Sequence, residues 1–415
     1  MPKFSRFIFY IIIIGVFCHV ISLVFSQINM HGDNSQGVSG GWYVKLALVA
    51  DIVLSLASIY CFITYKKKFP PIINVYYIVM ILLVFIGSFK DLSIFTTTPS
   101  VFYSPKGIGT WINFGLVYFT AEEDYTKKIF KMYKYACYAL IFFNVAQIAL
   151  LGSVSNRADA LNAIRDTTVN ALWIFPFFFL DNDDKTTSAK LFKYFLILLC
   201  AFFAFAIASR SYLLTMSIFM FIKLKRDLKE GRNLIIIASM VVMGLLAVFY
   251  VASNIDKFGT IKDLSSVFAG RMNEDSRSSQ LKEFMDQYNT DKLFTGVGPA
   301  ATWNWSGDRK APYEWLDNQF ILTAWWFGIQ TSIIYFLFLL YSLFKKNVMN
   351  ILWVTNSKIL IFFWMLACAG FGIYITISSS FYYYFISFLV GVITLNIRHV
   401  TVFQPQAEEQ ALLKY

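Results

Sequence analysis

What most constrains this chain is a succession of apolar runs of roughly 15–25 residues, the length at which a helix crosses the hydrocarbon of a bilayer. Twelve such segments can be placed, near 7–25, 42–65, 71–88, 108–121, 135–152, 167–180, 191–208, 211–224, 233–253, 317–344, 358–376 and 379–397. The fourth, sixth and eighth are short for a full crossing. In lipid every backbone N–H and C=O must be paired within the protein, so runs of this kind are read as helices. A soluble chain of 415 residues would divide into two or three domains covered with charge. Here 57% of residues are hydrophobic and only 15% are charged, against about 25% charged in ordinary globular proteins. Disorder is excluded by the same surplus of Phe, Ile and Leu. The expected fold is all-α, a polytopic transmembrane helical bundle of about 12 spans.

Lys3 and Arg6 precede the first run, as in a signal peptide, but no small-residue cleavage site follows cleanly. An uncleaved first helix is expected. Lys and Arg counted in alternate loops set the orientation. Twenty-two lie on one side, among them Lys66, Lys67, Lys68 and Lys127, and six lie in the short loops of the other. The excess marks the cytoplasmic side and puts both termini there, as an even number of spans requires. Eight further basic residues and nine acidic ones fall in one long outer segment, 254–316. The expected organisation is therefore about nine spans in 1–253, the outer loop 254–316, about three spans in 317–397 and a cytoplasmic tail 398–415.

The net charge of +11 does not point to nucleic acid, because the positive residues are interleaved with apolar runs instead of forming one patch. Cys18, Cys61, Cys137, Cys200 and Cys368 each sit inside an apolar run and read as small buried hydrophobes, with no paired arrangement for a disulfide or zinc. His19, His31 and His399 are far apart in sequence. Neither a metal nor a cofactor is expected.

Three features on the outer face carry chemistry. Arg210 lies in Ser209-Arg210-Ser211, in a tight turn between two runs. An arginine at membrane depth costs about 2.5–3.5 kcal/mol on insertion scales, so it either snorkels to headgroups or has a use. The second feature begins at Asp275-Ser276-Arg277, where Leu281, Phe284, Met285 and Tyr288 follow at the spacing of one helix face. That amphipathic helix either lies in the membrane interface or docks on the bundle with Arg277 heading its apolar stripe. The third is Gly296-Val297-Gly298-Pro299, a tight turn that permits close backbone approach to a ligand, followed by Glu314-Trp315-Leu316-Asp317-Asn318 at the mouth of a long span. Asp317 and Asn318 are equally well placed to cap that span. Lys45 and Asp51 are the best residues for a transporter, yet their separation of six does not place them on one helix face.

An arginine, then Gly-x-Gly nineteen positions later, then an aromatic-rich stretch, Asp-Asn and a Phe-Gly-Ile step resembles the O-antigen polymerase/ligase superfamily. Here these are Arg277, Gly296, Gly298, Asp317-Asn318 and Phe327-Gly328-Ile329, with Ser209-Arg210 where that superfamily carries a Ser-Arg pair. The ligase branch carries His-Asn where this chain has Asp317-Asn318, which favours the polymerase branch. An acidic residue often found before the Gly-Ile step is replaced by Trp325-Trp326-Phe327.

The resemblance implies glycosyl transfer at the outer face of the bacterial inner membrane. The substrates would be oligosaccharides linked to undecaprenyl diphosphate, polymerised into O-antigen or a related surface polysaccharide. Arginine supplies the permanent charge and bidentate fork that a departing diphosphate needs. Arg210, Arg277 and Arg271 are thus the expected diphosphate-binding residues. Asp317, or else Glu314, is the expected general base. Gly296, Gly298 and Asn318 would shape the substrate loop. Trp303, Trp305 and Trp315 would stack on sugar or else anchor the interface. Partners would be the lipid-linked oligosaccharide and the bilayer, with a chain-length regulator as a further candidate and no nucleic acid. Rival readings are a ligase of the same superfamily and a lipid-linked oligosaccharide flippase or other transporter.

Overall fold

The computed structural model describes residues 2–30, 42–90, 108–151, 173–181, 186–206, 210–229, 276–287, 290–299, 301–306, 316, 318–347, 351–370 and 380–397. In chain order the helices are α1 (Pro2–Met30), α2 (Trp42–Tyr65), α3 (Pro71–Ser88), α4 (Ile108–Ile112, continued by a 3-10 helix over Asn113–Ala121), α5 (Glu123–Leu151), α6 (173–180) and α7 (Thr187–Ala206). They continue with α8 (Arg210–Lys229), α9 (Ser276–Gln287), α10 (Thr290–Thr295), α11 (Gln319–Phe327), α12 (Ile329–Phe344), α13 (Leu352–Gly370) and α14 (Ser380–Leu395). The all-α class is as the apolar runs require. The expected span 233–253, the first part of the loop and the tail 398–415 lie outside the described residues.

Four stretches among the described residues are long and apolar enough to cross a membrane: Phe4–Phe25, Lys45–Lys68, Pro71–Ser88 and Leu352–Ala369. Their outer faces stay apolar. Phe17 is 61% exposed, Leu56 65% and Ile63 62%, a surface that suits lipid and would not survive in water. The inward faces pack aromatic on aromatic. Phe130 of α5 stacks on Trp353 of α13 at 4.8 Å and meets Phe177 of α6 at 5.1 Å and Phe385 of α14 at 5.2 Å.

Three expected spans take a different form. The run 317–344 is two helices, α11 and α12, broken at Gly328, whose φ of 96° ends one helix and starts the next. The short run 108–121 is a five-residue α-helix followed by a nine-residue 3-10 helix, with every side chain from Asn113 to Thr120 buried. The tighter winding lies where Gly115 meets α2 so closely that a Cβ would come within 2.9 Å of the Ser58 carbonyl. The run at 135–152 starts at Glu123, because Glu123 and Asp124 suit the positive helix N-terminus and Glu123 pairs with Lys127 at 2.8 Å.

Polar groups inside the bundle are grouped and bonded. At one end of α6, Lys193 and Lys223 donate to the Asp181 carbonyl at 3.0 and 3.4 Å, and Arg226 donates to the Leu180 carbonyl at 3.3 Å and to Asn356 at 2.6 Å. Cations thus meet the exposed carbonyls of a helix C-terminus. Trp353 donates to the Asp181 carboxylate at 3.0 Å, and Tyr194 to Asp227 at 2.9 Å. The Tyr194–Asp227 bond joins the start of α7 to the end of α8. The two helices are therefore antiparallel, and Arg210 opens α8 at the far end from this cluster.

A second group stitches α1, α2, α4 and α14. His19 meets Asp51 at 3.0 Å, the Tyr384 hydroxyl donates to the same carboxylate, Asn113 donates to the Tyr384 oxygen at 3.0 Å, and Ser55 donates to Asn113 at 2.9 Å. All five side chains are buried. Ser5 meets Tyr65 at 2.9 Å, so α1 and α2 run antiparallel and bring His19 level with Asp51. Removing one partner leaves the others desolvated and unpaired, which costs about 3–5 kcal/mol for a buried pair, whereas an apolar replacement of both is far milder. Asp51→Leu is therefore expected to lower the thermal midpoint in detergent sharply, and His19→Leu/Asp51→Leu to recover much of the loss. Equal midpoints for the single and double variants would contradict a paired role.

Candidate functional site

Gly296 and Gly298 lie at the break between α11 and α12. At its C-terminus α11 leaves carbonyls that the helix cannot use, and the Gly296-Val297-Gly298 turn supplies the donors. Val297 N donates to the Trp325 carbonyl at 2.8 Å and Gly298 N to the Trp326 carbonyl at 3.0 Å. Both glycines have positive φ, 75° at Gly296 and 102° at Gly298. A Cβ on Gly296 would stand 2.6 Å from Gly328 N and 2.8 Å from the Phe327 carbonyl carbon. The close approach read from the Gly-x-Gly spacing is thus to protein backbone at the break. Lys90, just past α3, closes the joint from the other side by donating to the carbonyls of Thr295 and Gly296.

Helix α9 docks against this joint. Phe284 is fully buried and meets Trp303 at 5.4 Å and Trp325 of α11 at 5.3 Å, both edge-on. Of the expected stripe, Leu281 is half-buried and Met285 is 41% exposed, while Tyr288 lies outside the described residues. Gln280 takes a buried place instead. The docked face is therefore turned toward Gln280 and Phe284, and Arg277 precedes these by three and seven residues, in the register of that face.

Polar clamps tie α9 to the extended segment 301–306. Gln287 accepts from Asn304 N at 3.1 Å, and the Glu283 carboxylate accepts from Ser306 N at 2.9 Å and from the Ser306 hydroxyl at 2.7 Å. The backbone bond first, and the hydroxyl second, hold the Glu283 carboxyl below its ordinary range.

At the start of α11, Asn318 is the N-cap, its Oδ1 accepting from Ile321 N at 3.1 Å, and its Nδ2 donates to the Ala369 carbonyl near the end of α13 at 2.7 Å. Next to it, Gln319 is buried and donates through Nε2 to the Thr323 hydroxyl at 3.3 Å, while its Oε1 has no partner among the described residues. The signal for Gln319 in the sequence is a glutamine directly after Asp317-Asn318 at the head of an apolar helix. From Ala369, α13 leads to Trp364, which meets Trp173 at 5.4 Å, and Trp173 meets Tyr212 of α8 at 6.0 Å. Arg210, two residues before Tyr212, thus opens α8 at the same end of the bundle as Asn318 and the docked loop.

Among the expected site residues, Gly296, Gly298, Asn318, Trp303 and Trp305 are described. Trp303 is 2% exposed and belongs to the packing under α9; Trp305 is half-buried. Arg210 and Arg277 are placed by their helices alone. Asp317, Glu314, Arg271 and Trp315 lie outside the described residues.

Residues 195–336 match the family described as O-antigen ligase. No curated protein and no solved structure matches the chain. The matched segment runs from α7 into α12 and contains every expected site residue. The match supports the O-antigen polymerase/ligase superfamily that the motifs resemble, in a chain with helices long and apolar enough to cross a membrane. Members of that family are membrane enzymes acting on lipid-linked saccharides.

The Glu283 clamp gives a pH prediction. A carboxyl held below its ordinary value of 4.5 contributes stability that is fully present above that value and is lost as pH falls through its lowered folded value. Hydrogen exchange at Ser306 N should therefore accelerate only on the acid side of the ordinary range. In Glu283→Gln that acid limb should vanish; its persistence would show that another group holds the segment.

Proposed function

We propose that this protein is a polysaccharide polymerase of the inner membrane. It joins oligosaccharide repeats carried on undecaprenyl diphosphate into O-antigen or a related surface polysaccharide, with both its termini in the cytoplasm and the loop outside. The observation that carries the choice within the superfamily is Asp317-Asn318 where the ligase branch has His-Asn.

In this reading the acceptor's hydroxyl oxygen attacks the anomeric carbon of the growing glycan. The bond from that carbon to the diphosphate oxygen breaks, and its electron pair leaves with the diphosphate. Arg210, Arg277 and Arg271 hold that group and meet the developing charge, work that fixed cations in a water-poor setting do well. Asp317 receives the hydroxyl proton, with Glu314 as second choice. Asn318, spent on capping α11 and on Ala369, sets the position of its neighbour Asp317. No metal is needed for the leaving group in this scheme, and a chain-length regulator would act from outside it.

Arg210→Ala and Arg277→Ala are each expected to abolish long-chain product, with the protein still inserted and abundant. Arg→Lys at either position should also fail, because the bidentate fork is lost. The readout is the glycan ladder of cells carrying each variant. Normal chain lengths from either alanine variant would remove that arginine from the mechanism, and rescue by lysine would reduce its role to charge alone.

A further inference from the structure

The Gly296-Val297-Gly298-Pro299 turn looks like a phosphate cradle, since glycine-rich turns often offer backbone N–H groups to an anion. Its donors are already spent. Gly296 N donates to the Lys292 carbonyl at 2.9 Å, Val297 N and Gly298 N donate to Trp325 and Trp326, and Pro299 has no N–H. If a lipid-borne phosphate is held at this turn, the charge must come from a side chain.

Lys90 has the required properties. It stands just beyond the end of α3, where its own N–H bonds back to Gly87 at 3.2 Å. Its ammonium is tied to the carbonyls of Thr295 and Gly296, more than 200 residues along the chain, and it is exposed. An ammonium has three N–H donors and two are used. Both acceptors are neutral carbonyls, and no carboxylate among the described residues pairs with it. Among the described residues the result is an uncompensated positive charge, held in place beside the turn, with one donor to give. A lysine serving only as a latch would gain more from a carboxylate partner, and long flexible lysines are seldom fixed at both ends.

We propose that Lys90 contacts the diphosphate of the lipid-linked substrate, as a cation contributed from outside the segment that holds the arginines. This rests on the proposed function. The shared chemistry is a phosphate carried on a lipid, and the substrate's diphosphate is favoured over a phospholipid headgroup because the ammonium is anchored to the loop that the candidate site is built on.

The test uses the purified full-length protein in detergent, with undecaprenyl diphosphate, undecaprenol and phosphatidylglycerol as separate ligands. Lys90→Met should weaken undecaprenyl diphosphate on the order of tenfold or more, the scale of one charge-assisted hydrogen bond, and leave undecaprenol unchanged. Lys90→Arg should retain most of the affinity. Lys90→Gln, which keeps a donor for the carbonyls, should lose the diphosphate preference as Lys90→Met does, and it serves alone if the methionine variant does not accumulate. Equal weakening of diphosphate and undecaprenol would show that Lys90 only latches the loop and would overturn the proposal. So would loss confined to phosphatidylglycerol, which would make it a headgroup anchor. A wild-type protein with no preference for diphosphate over undecaprenol would instead sink the proposed function itself.

Discussion

The joint between the Gly296-Val297-Gly298 turn and the break at Gly328 is the contact on which the arrangement of the loop depends. A break inside a membrane helix exposes carbonyls that lipid cannot satisfy, and each costs several kcal/mol if left alone. The turn satisfies those of Trp325 and Trp326, and two glycines remove the side-chain atoms that would hold the backbones apart. The α11–α12 break and the loop therefore need each other. Phe284 then docks α9 on Trp325.

The rest of the bundle serves this joint from below. Trp111 of α4 meets Phe327 edge-on at 6.1 Å and Tyr335 of α12 at 5.4 Å, beneath the break. Two residues along, Asn113 joins the chain of hydrogen bonds that ends at His19 and Asp51. A single short helix thus links the buried polar stitch to the docked loop. The ionic group around Asp181 fixes α6, α7, α8 and α13 at the end opposite to the one where Arg210 opens α8.

Much of this was legible in the residues. The apolar runs gave the class, and the i, i+3, i+4 spacing in 281–288 gave α9. Asn318 fills the capping role that its residue type suggested. What sequence could not give was the partner of a lone group. Lys45 is the charge nearest Asp51 in its own run, whereas the partners of Asp51, His19 and Tyr384, come from α1 and α14. Depth in the membrane was the usable signal, since antiparallel α1 and α2 bring an isolated histidine and an isolated aspartate to one level. Nothing local to Lys90 announces the carbonyls of Thr295 and Gly296. The break at Gly328 was hidden by a run that stays apolar on both sides of it.

The central claim is that the cations and carboxylates at the loop end of the bundle transfer glycan from one lipid diphosphate to another lipid-linked repeat. The most direct measurement is reconstitution of the full chain into lipid vesicles with an undecaprenyl-diphosphate-linked repeat as the only saccharide. A ladder of lipid-linked products growing by one repeat at a time is the predicted result. Transfer that begins only when a different, non-repeat acceptor is added, or movement of the repeat across the bilayer with no new glycosidic bond, would contradict it.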